Sequence, residues 1–175
     1  MKKIFYLFAG VNGAGKSTLY NLAMINQNIK NTIRINTDEI VREIGDWKNN
    51  SDQLKAAKIA INLRNECFLY GKSFNEETTL TGKTILKTID RAKELGYELQ
   101  LFYVGVSSTE IAKERIKSRV EKGGHHIEDD VVEKRYYESL ENLKQVWNEE
   151  KIESIPEISL EKQKEIHTPL EIIRK

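Results

Sequence analysis

The sequence predicts an α/β fold, a mostly parallel sheet flanked by helices and carrying a small helical lid. Three observations predict it. The apolar run Ile4-Phe5-Tyr6-Leu7-Phe8-Ala9 leads directly into the glycine-rich stretch Gly10-Val11-Asn12-Gly13-Ala14-Gly15-Lys16-Ser17-Thr18. Three further short β-like runs then alternate with helical patterns, the signature of a parallel sheet with crossover helices. Finally, two arginine-bearing helical patterns are separated by the pair Gly123-Gly124.

The run before the glycines reads as a buried parallel strand, and the residues behind them, with Leu19, Leu22 and Ala23 on one face, read as a helix. Two glycines separated by four residues and followed by Lys and Ser form the pattern of a phosphate-binding P-loop, here in its proper strand-to-helix context. A polyphosphate needs several backbone N–H groups aimed at one point, so the loop must curl tightly. Gly10, Gly13 and Gly15 permit the positive φ angles this requires, with Asn12, Ala14 and Thr18 completing the cradle. Lys16 is placed for the β- and γ-phosphates of ATP and Ser17 for Mg²⁺, while the helix start presents its positive dipole end to the anion.

The next run, Thr32 to Asn36, reads as a second strand, and Thr37-Asp38-Glu39 as a helix start capped by Asn36 or Thr37. Asp38 therefore lies where a strand's carboxyl end meets a helix, the edge at which open α/β sheets bind ligands. A carboxylate there can help hold Mg²⁺ or accept the proton of an attacking hydroxyl. Ser51 to Tyr70 reads as a helix with Leu54, Ala57, Ile61 and Phe68 on its buried face, Ala60, Leu63 and Cys67 beside them, and Gly71 as its stop. Ser73 to Leu80 is the third strand. Its acids sit at the carboxyl end, which is costly unless something polar binds, so Glu77 is a candidate ligand-binding residue.

Thr81 to Leu95 is amphipathic through Ile85, Leu86, Ile89 and Ala92 and closed by Gly96, and Tyr97 to Val106 is the fourth strand. The latter ends without a Walker B aspartate, which argues against a large motor ATPase and leaves Asp38 as the better candidate near the metal. A helix from about Thr109 to Glu121 puts Arg115 and Arg119 on one face, and a helix from about Asp129 carries Arg135. The glycine hinge between them predicts a mobile lid over about residues 121–130, able to bring guanidinium groups onto a transferring phosphoryl group. Val132, Tyr136, Leu140, Leu143 and Trp147 form a core stripe on the last helix. His125-His126 is assigned to the lid rather than to zinc, which needs more ligands than this sequence brings together.

The bulk properties narrow the classes. At 175 residues the chain is read as one domain spanning 1–175, with an uninformative tail over about 148–175 in which Ile152 to Ile155 resembles a short last strand. A formal net charge of +1 and the absence of interleaved basic and aromatic residues disfavour a nucleic-acid partner. No stretch has the length and apolarity of a membrane span. The single Cys67 excludes an internal disulfide and, with no signal-peptide pattern, predicts a cytoplasmic protein with Cys67 as a small buried apolar residue.

Taken together, these motifs resemble the short zeta-toxin-like kinases. The quoted features are Gly10 to Thr18, Asn36-Thr37-Asp38-Glu39-Ile40, Glu76-Glu77-Thr78-Thr79-Leu80-Thr81-Gly82, Arg119-Val120 with Gly123-Gly124-His125, and Lys134-Arg135-Tyr136, in family order over roughly residues 3–147. The resemblance implies an ATP- and Mg²⁺-dependent kinase with Asp38 as general base, Glu77 and Thr79 binding the acceptor, and Arg119 and Arg135 clamping the transferred group. Arg115 is a further candidate on the substrate side. Characterised zeta toxins phosphorylate the amino sugar of UDP-N-acetylglucosamine, and several are held in check by an antitoxin, so a nucleotide-sugar acceptor and an antitoxin partner are expected. Val11 stands where the family has Pro, and Glu76 where it has Phe. Two other readings stay open: a nucleoside, nucleotide or other metabolite kinase, and an ATP-binding regulatory switch without kinase activity.

Overall fold

In the computed structural model, residues 2–149 are described; the expected strand at Ile152 to Ile155 and the charged tail lie outside them. Four strands, β1 (Ile4–Ala9), β2 (Ile33–Ile35), β3 (Phe74–Thr78) and β4 (Glu98–Tyr103), form one sheet in the order β2-β3-β1-β4 with every pairing parallel. The helices are α1 (Lys16–Ala23), α2 (Gln27–Lys30), α3 (Thr37–Ile44), α4 (Asn50–Tyr70), α5 (Lys83–Glu94), α6 (Thr109–Glu121) and α7 (Asp129–Glu149). Among the described residues the expected elements are present; β1 and α6 keep their expected bounds, α4 starts one residue earlier, β2, β3, β4 and α5 are shorter by one to three residues at each end, and α2, a single turn capped by Asn26, is additional.

Both faces of β1 are covered, which is why it reads as a continuous apolar run. Phe5, Leu7 and Ala9 join residues of α4, α5 and the later part of α7 in one core cluster. Tyr6 and Phe8 join residues of α1, α6 and Val132 of α7 in the other. Phe74 is central to the first cluster. It stacks on Phe5 at 4.4 Å and meets Phe68 and Tyr97 edge-on at 5.5 and 5.8 Å.

The buried face of α4 differs from the expected one. Leu54 and Ile61 are 65% and 47% exposed, and the inward stripe is Asp52, Ala56, Ala60, Cys67 and Phe68. Small residues let α4 lie close to its neighbours, so the helix turns its alanines inward and its larger aliphatics outward. Cys67 is fully buried, and burial pushes its thiol up to about 11. Tyr97 donates its hydroxyl hydrogen bond to the Cys67 carbonyl at 2.6 Å, an acceptor that the backbone N–H groups of Gly71 and Lys72 also use where α4 stops.

Truncating Phe74 to Ala should lower the unfolding free energy by about 3–5 kcal/mol, whereas Leu54→Ala should change it by no more than about 0.5 kcal/mol. Urea titration of the two variants decides the matter. A large loss for Leu54→Ala would mean that α4 packs through the face expected from its aliphatics.

Candidate active site

The site is built at the carboxyl edge of β1. Gly10, Gly13 and Gly15 all take positive φ, at 143°, 78° and 106°. Two of them are also contact points: a Cβ on Gly10 would overlap the Val104 carbonyl oxygen, and one on Gly13 would lie 2.6 Å from that of Ala112. The loop is thus wedged between the end of β4 and α6. Val11, in place of the family's Pro, is buried and accepts hydrogen bonds from Ala14 N at 3.1 Å and from Lys16 Nζ at 3.2 Å. Arg115 turns its guanidinium onto the carbonyls of Gly13 and Ala14, at 3.4 and 3.3 Å, and so engages the loop itself.

Parallel pairing sets Glu77 beside Phe8, two residues before the loop begins. Its carboxylate accepts from Ser17 Oγ at 3.1 Å, from Arg34 Nη2 at 2.9 Å and from Asn36 Nδ2 at 2.9 Å. Arg34 also pairs with Glu39 and lies over the Tyr20 ring at 3.4 Å. Asn36 caps α3, accepting from the N–H groups of Asp38 and Glu39. One cap therefore orients both the helix that carries Asp38 and the carboxylate of Glu77.

A cleft of about 1060 Å³ opens beside the loop, lined among others by Asn12, Lys16, Asp38, Glu77, Thr79 and Arg135. Lys16 is only 8% exposed. Burial pushes its pKa down, opposed by the charges of Glu77 and Asp38 and reinforced by Arg119 and Arg135. Arg135 donates to Asn12 Oδ1 at 2.9 Å, and Arg119 Nη2 to the carbonyl of His125 at 3.0 Å. The Arg119 Nε donor is buried without a hydrogen-bond partner. Thr79 shares a hydroxyl–hydroxyl hydrogen bond of 2.7 Å with Thr81.

Glu76 also lines the cleft, but it is held by two hydrogen bonds from Arg64 of α4, from Nε at 2.9 Å and Nη2 at 2.5 Å. The sequence reading did not single out Arg34, Arg64 or Trp47. The inward face of β2 and the inner stripe of α4 could have pointed to the arginines, and an aromatic in a polar loop to Trp47. Trp47 lines the same cleft and stacks on His125 at 4.3 Å, with the rings 13° from parallel.

The zeta toxin family model matches residues 1–168. An uncharacterized protein of Haemophilus influenzae is 37% identical over 135 residues, which cover 77% of this chain and 92% of that protein. Among solved structures, a chain of the PezAT chromosomal toxin–antitoxin system of Streptococcus pneumoniae superposes with a TM-score of 0.62 at 22% identity, covering 83% of this chain and 64% of that one. A chain of the Pnkp1/Rnl/Hen1 RNA repair complex gives 0.61 at 17% identity, and there this chain spans half the other's length. A putative kinase from Chloroflexus aurantiacus gives 0.58 at 14% identity, covering 77% of this chain and 76% of that one. These three superpositions speak to the fold alone, a parallel sheet flanked by helices; the sequence match over nearly the whole chain goes further, and on it the chain belongs to the zeta toxin family of P-loop kinases.

Proposed function

We propose that the protein transfers the γ-phosphoryl group of ATP to a hydroxyl of a nucleotide sugar such as UDP-N-acetylglucosamine. The observation that carries this reading is the convergence of Lys16, Arg135, Asp38 and Glu77 on one cleft that extends well beyond the phosphate loop. A nucleotide switch needs the loop; a kinase needs in addition room and polar groups for an acceptor.

In this reading the backbone N–H groups of residues 10–18 and Lys16 bind the phosphates. The hard oxygen donors of Ser17 and Asp38, with Glu77 hydrogen-bonded to Ser17, suit Mg²⁺. Bound there, Mg²⁺ would supply charge neutralisation to the phosphate groups. The acceptor hydroxyl is bound by Glu77 and Thr79 and oriented by Asp38. Its oxygen forms the new bond to the γ-phosphorus as the bond to the bridging oxygen of ADP breaks, and its proton passes to Asp38. Arg119, through its unpaired Nε, and Arg135 stabilise the equatorial oxygens. Arg115 acts indirectly, by holding the loop carbonyls. The segment between α6 and α7 serves as a lid that keeps water from the γ-phosphate. Kinship to the zeta toxins also supports a cytoplasmic protein with an antitoxin partner.

Asp38→Asn should lower transfer by about 10²–10⁴-fold while leaving ATP affinity within about threefold, read from initial rates and nucleotide titration. Near-normal transfer would remove Asp38 from the role of base. Mass spectrometry after incubation with Mg-ATP and a panel of UDP-sugars, nucleosides and nucleotides should show phosphorylated UDP-N-acetylglucosamine that disappears with Lys16→Ala; a different phosphorylated member would reassign the acceptor. Because burial disfavours the Lys16 charge, Lys16→Met should be inactive yet more stable than the wild type at neutral pH, by about 1 kcal/mol. The unfolded chain keeps the Lys16 proton up to about its ordinary 10.5 while the folded chain loses it earlier, so wild-type stability gains on the variant as pH rises through that window. Thermal melts of both proteins at neutral and alkaline pH would detect a widening gap, which would contradict the assignment.

A further inference from the structure

The stack between Trp47 and His125 joins two elements that nothing else in the catalytic scheme connects: the turn after α3 and the glycine connection before α7. We infer that Trp47 is a positioning residue, which by stacking on His125 holds the 122–128 connection over the cleft and thereby sets the guanidinium of Arg119. The inference rests on the kinase reading for what Arg119 does, but not for where Arg119 is held.

The Trp47 side is preset. Gln53 donates its side-chain N–H to the Trp47 carbonyl at 2.6 Å, Lys48 N donates to Asp46 Oδ1 at 2.9 Å, and Asp46 N donates to Asp52 Oδ2 at 3.3 Å. Gly45 lies so close to the Asp52 carboxylate that a Cβ there would overlap it. Asp52 is itself held by Lys55 at 3.1 Å. The indole therefore stands on a turn tied down at several points, directly after the helix that carries Asp38.

The His125 side is the adaptable one. Gly123 has φ +87°, and the chain around it is held to α6 by the hydrogen bonds of Gly123 N to Val120 O and Gly124 N to Arg119 O, both 2.9 Å. Arg119 runs directly beneath this connection. A Cβ on Gly124 would lie 2.6 Å from Arg119 Cγ, and the far end of the same side chain donates to the His125 carbonyl at 3.0 Å. Where His125 sits, the guanidinium follows. Burial, together with the positive charges of Arg119 and Arg135, holds the imidazole pKa below its ordinary value, so the ring stacks without adding a cation to the group.

An aromatic stack of this geometry is worth up to about tenfold in a closing equilibrium. The test compares wild type, Trp47→Ala, Trp47→Phe, His125→Ala and the Trp47→Ala/His125→Ala double variant. Amide hydrogen exchange at residues 122–128 needs no turnover, so it decides the clasp even if the kinase reading fails. Exchange there should quicken by about five- to tenfold in both Ala variants, no further in the double variant, and little in Trp47→Phe, with β1 and β3 unchanged. With the acceptor found in the product panel, kcat should fall about tenfold in the Ala variants at unchanged KM for ATP, and Phe should restore it. Unchanged exchange at 122–128 would overturn the clasp. Faster exchange with unchanged kcat would overturn the link to Arg119. A raised acceptor KM with unchanged exchange would make Trp47 a substrate contact instead.

Discussion

The structure depends on a buried ammonium, that of Lys16, held at one edge of a sheet. The charges of Arg119 and Arg135 reach it, opposed by Asp38 and by a Glu77 already occupied with Arg34 and Asn36. Burying the Lys16 ammonium costs free energy, and its lowered pKa records that desolvation, with Arg119 and Arg135 adding to it and Glu77 and Asp38 opposing it. An anionic ligand with several oxygens relieves it. The site is therefore strained toward polyphosphate before any ligand arrives, and the apolar mass of the two core clusters bears the burden.

The sheet order makes this arrangement possible. With β3 directly beside β1, the end of β3 delivers Glu77 to the Ser17 hydroxyl, next to the loop. That position accounts for the missing acidic residue at the end of β4: the strand supplying a carboxylate at the loop is β3, on the other side of β1. In the proposed reading Glu77 borders the Mg²⁺ side through Ser17 and the acceptor side through Thr79, two residues on. Glu76, one residue earlier, alternates to the opposite face of the strand and is neutralised by Arg64. Glu76 and Arg64 thus form a largely buried ion pair. Breaking such a pair by removing one partner is far more costly than exchanging both for apolar groups, so Glu76 and Arg64 are expected to vary together.

What could be read from the sequence follows from how local its cause is. The P-loop, the α3 cap and the glycine stops depend on residues adjacent in the chain, and they were legible to within a residue or two. The buried face of α4 was not. Its choice of Ala56 and Ala60 over Leu54 and Ile61 is made by the space available beside the sheet, which no periodicity in the helix alone contains. Arg34 was equally hidden, because its partners come from α1, α3 and β3, separated by up to 43 positions. Trp47 and His125 were each visible as residues, but their stack is a property of the closed chain.

Arg135 and Arg119, the two arginines proposed to clamp the phosphoryl group, are mounted differently, and that difference bears on how the site can work. Arg135 stands on α7, and the same helix donates from Asn142 to the Leu80 carbonyl at 3.0 Å and accepts at Glu138 from Gly82 N at 2.9 Å. Those contacts grip a turn in which Leu80 is fully buried at φ +57°, a conformation costing about 1–2 kcal/mol for a side chain of this kind. The turn carries Thr79 and Thr81, so α7 fixes their hydroxyls and Arg135 within one rigid frame. Arg119 is instead tied to a glycine connection through a single carbonyl. In the proposed reaction a phosphoryl group would be met by Arg135 on its rigid frame and by Arg119 through the connection, so that charge stabilisation and the exclusion of water would depend on the same segment.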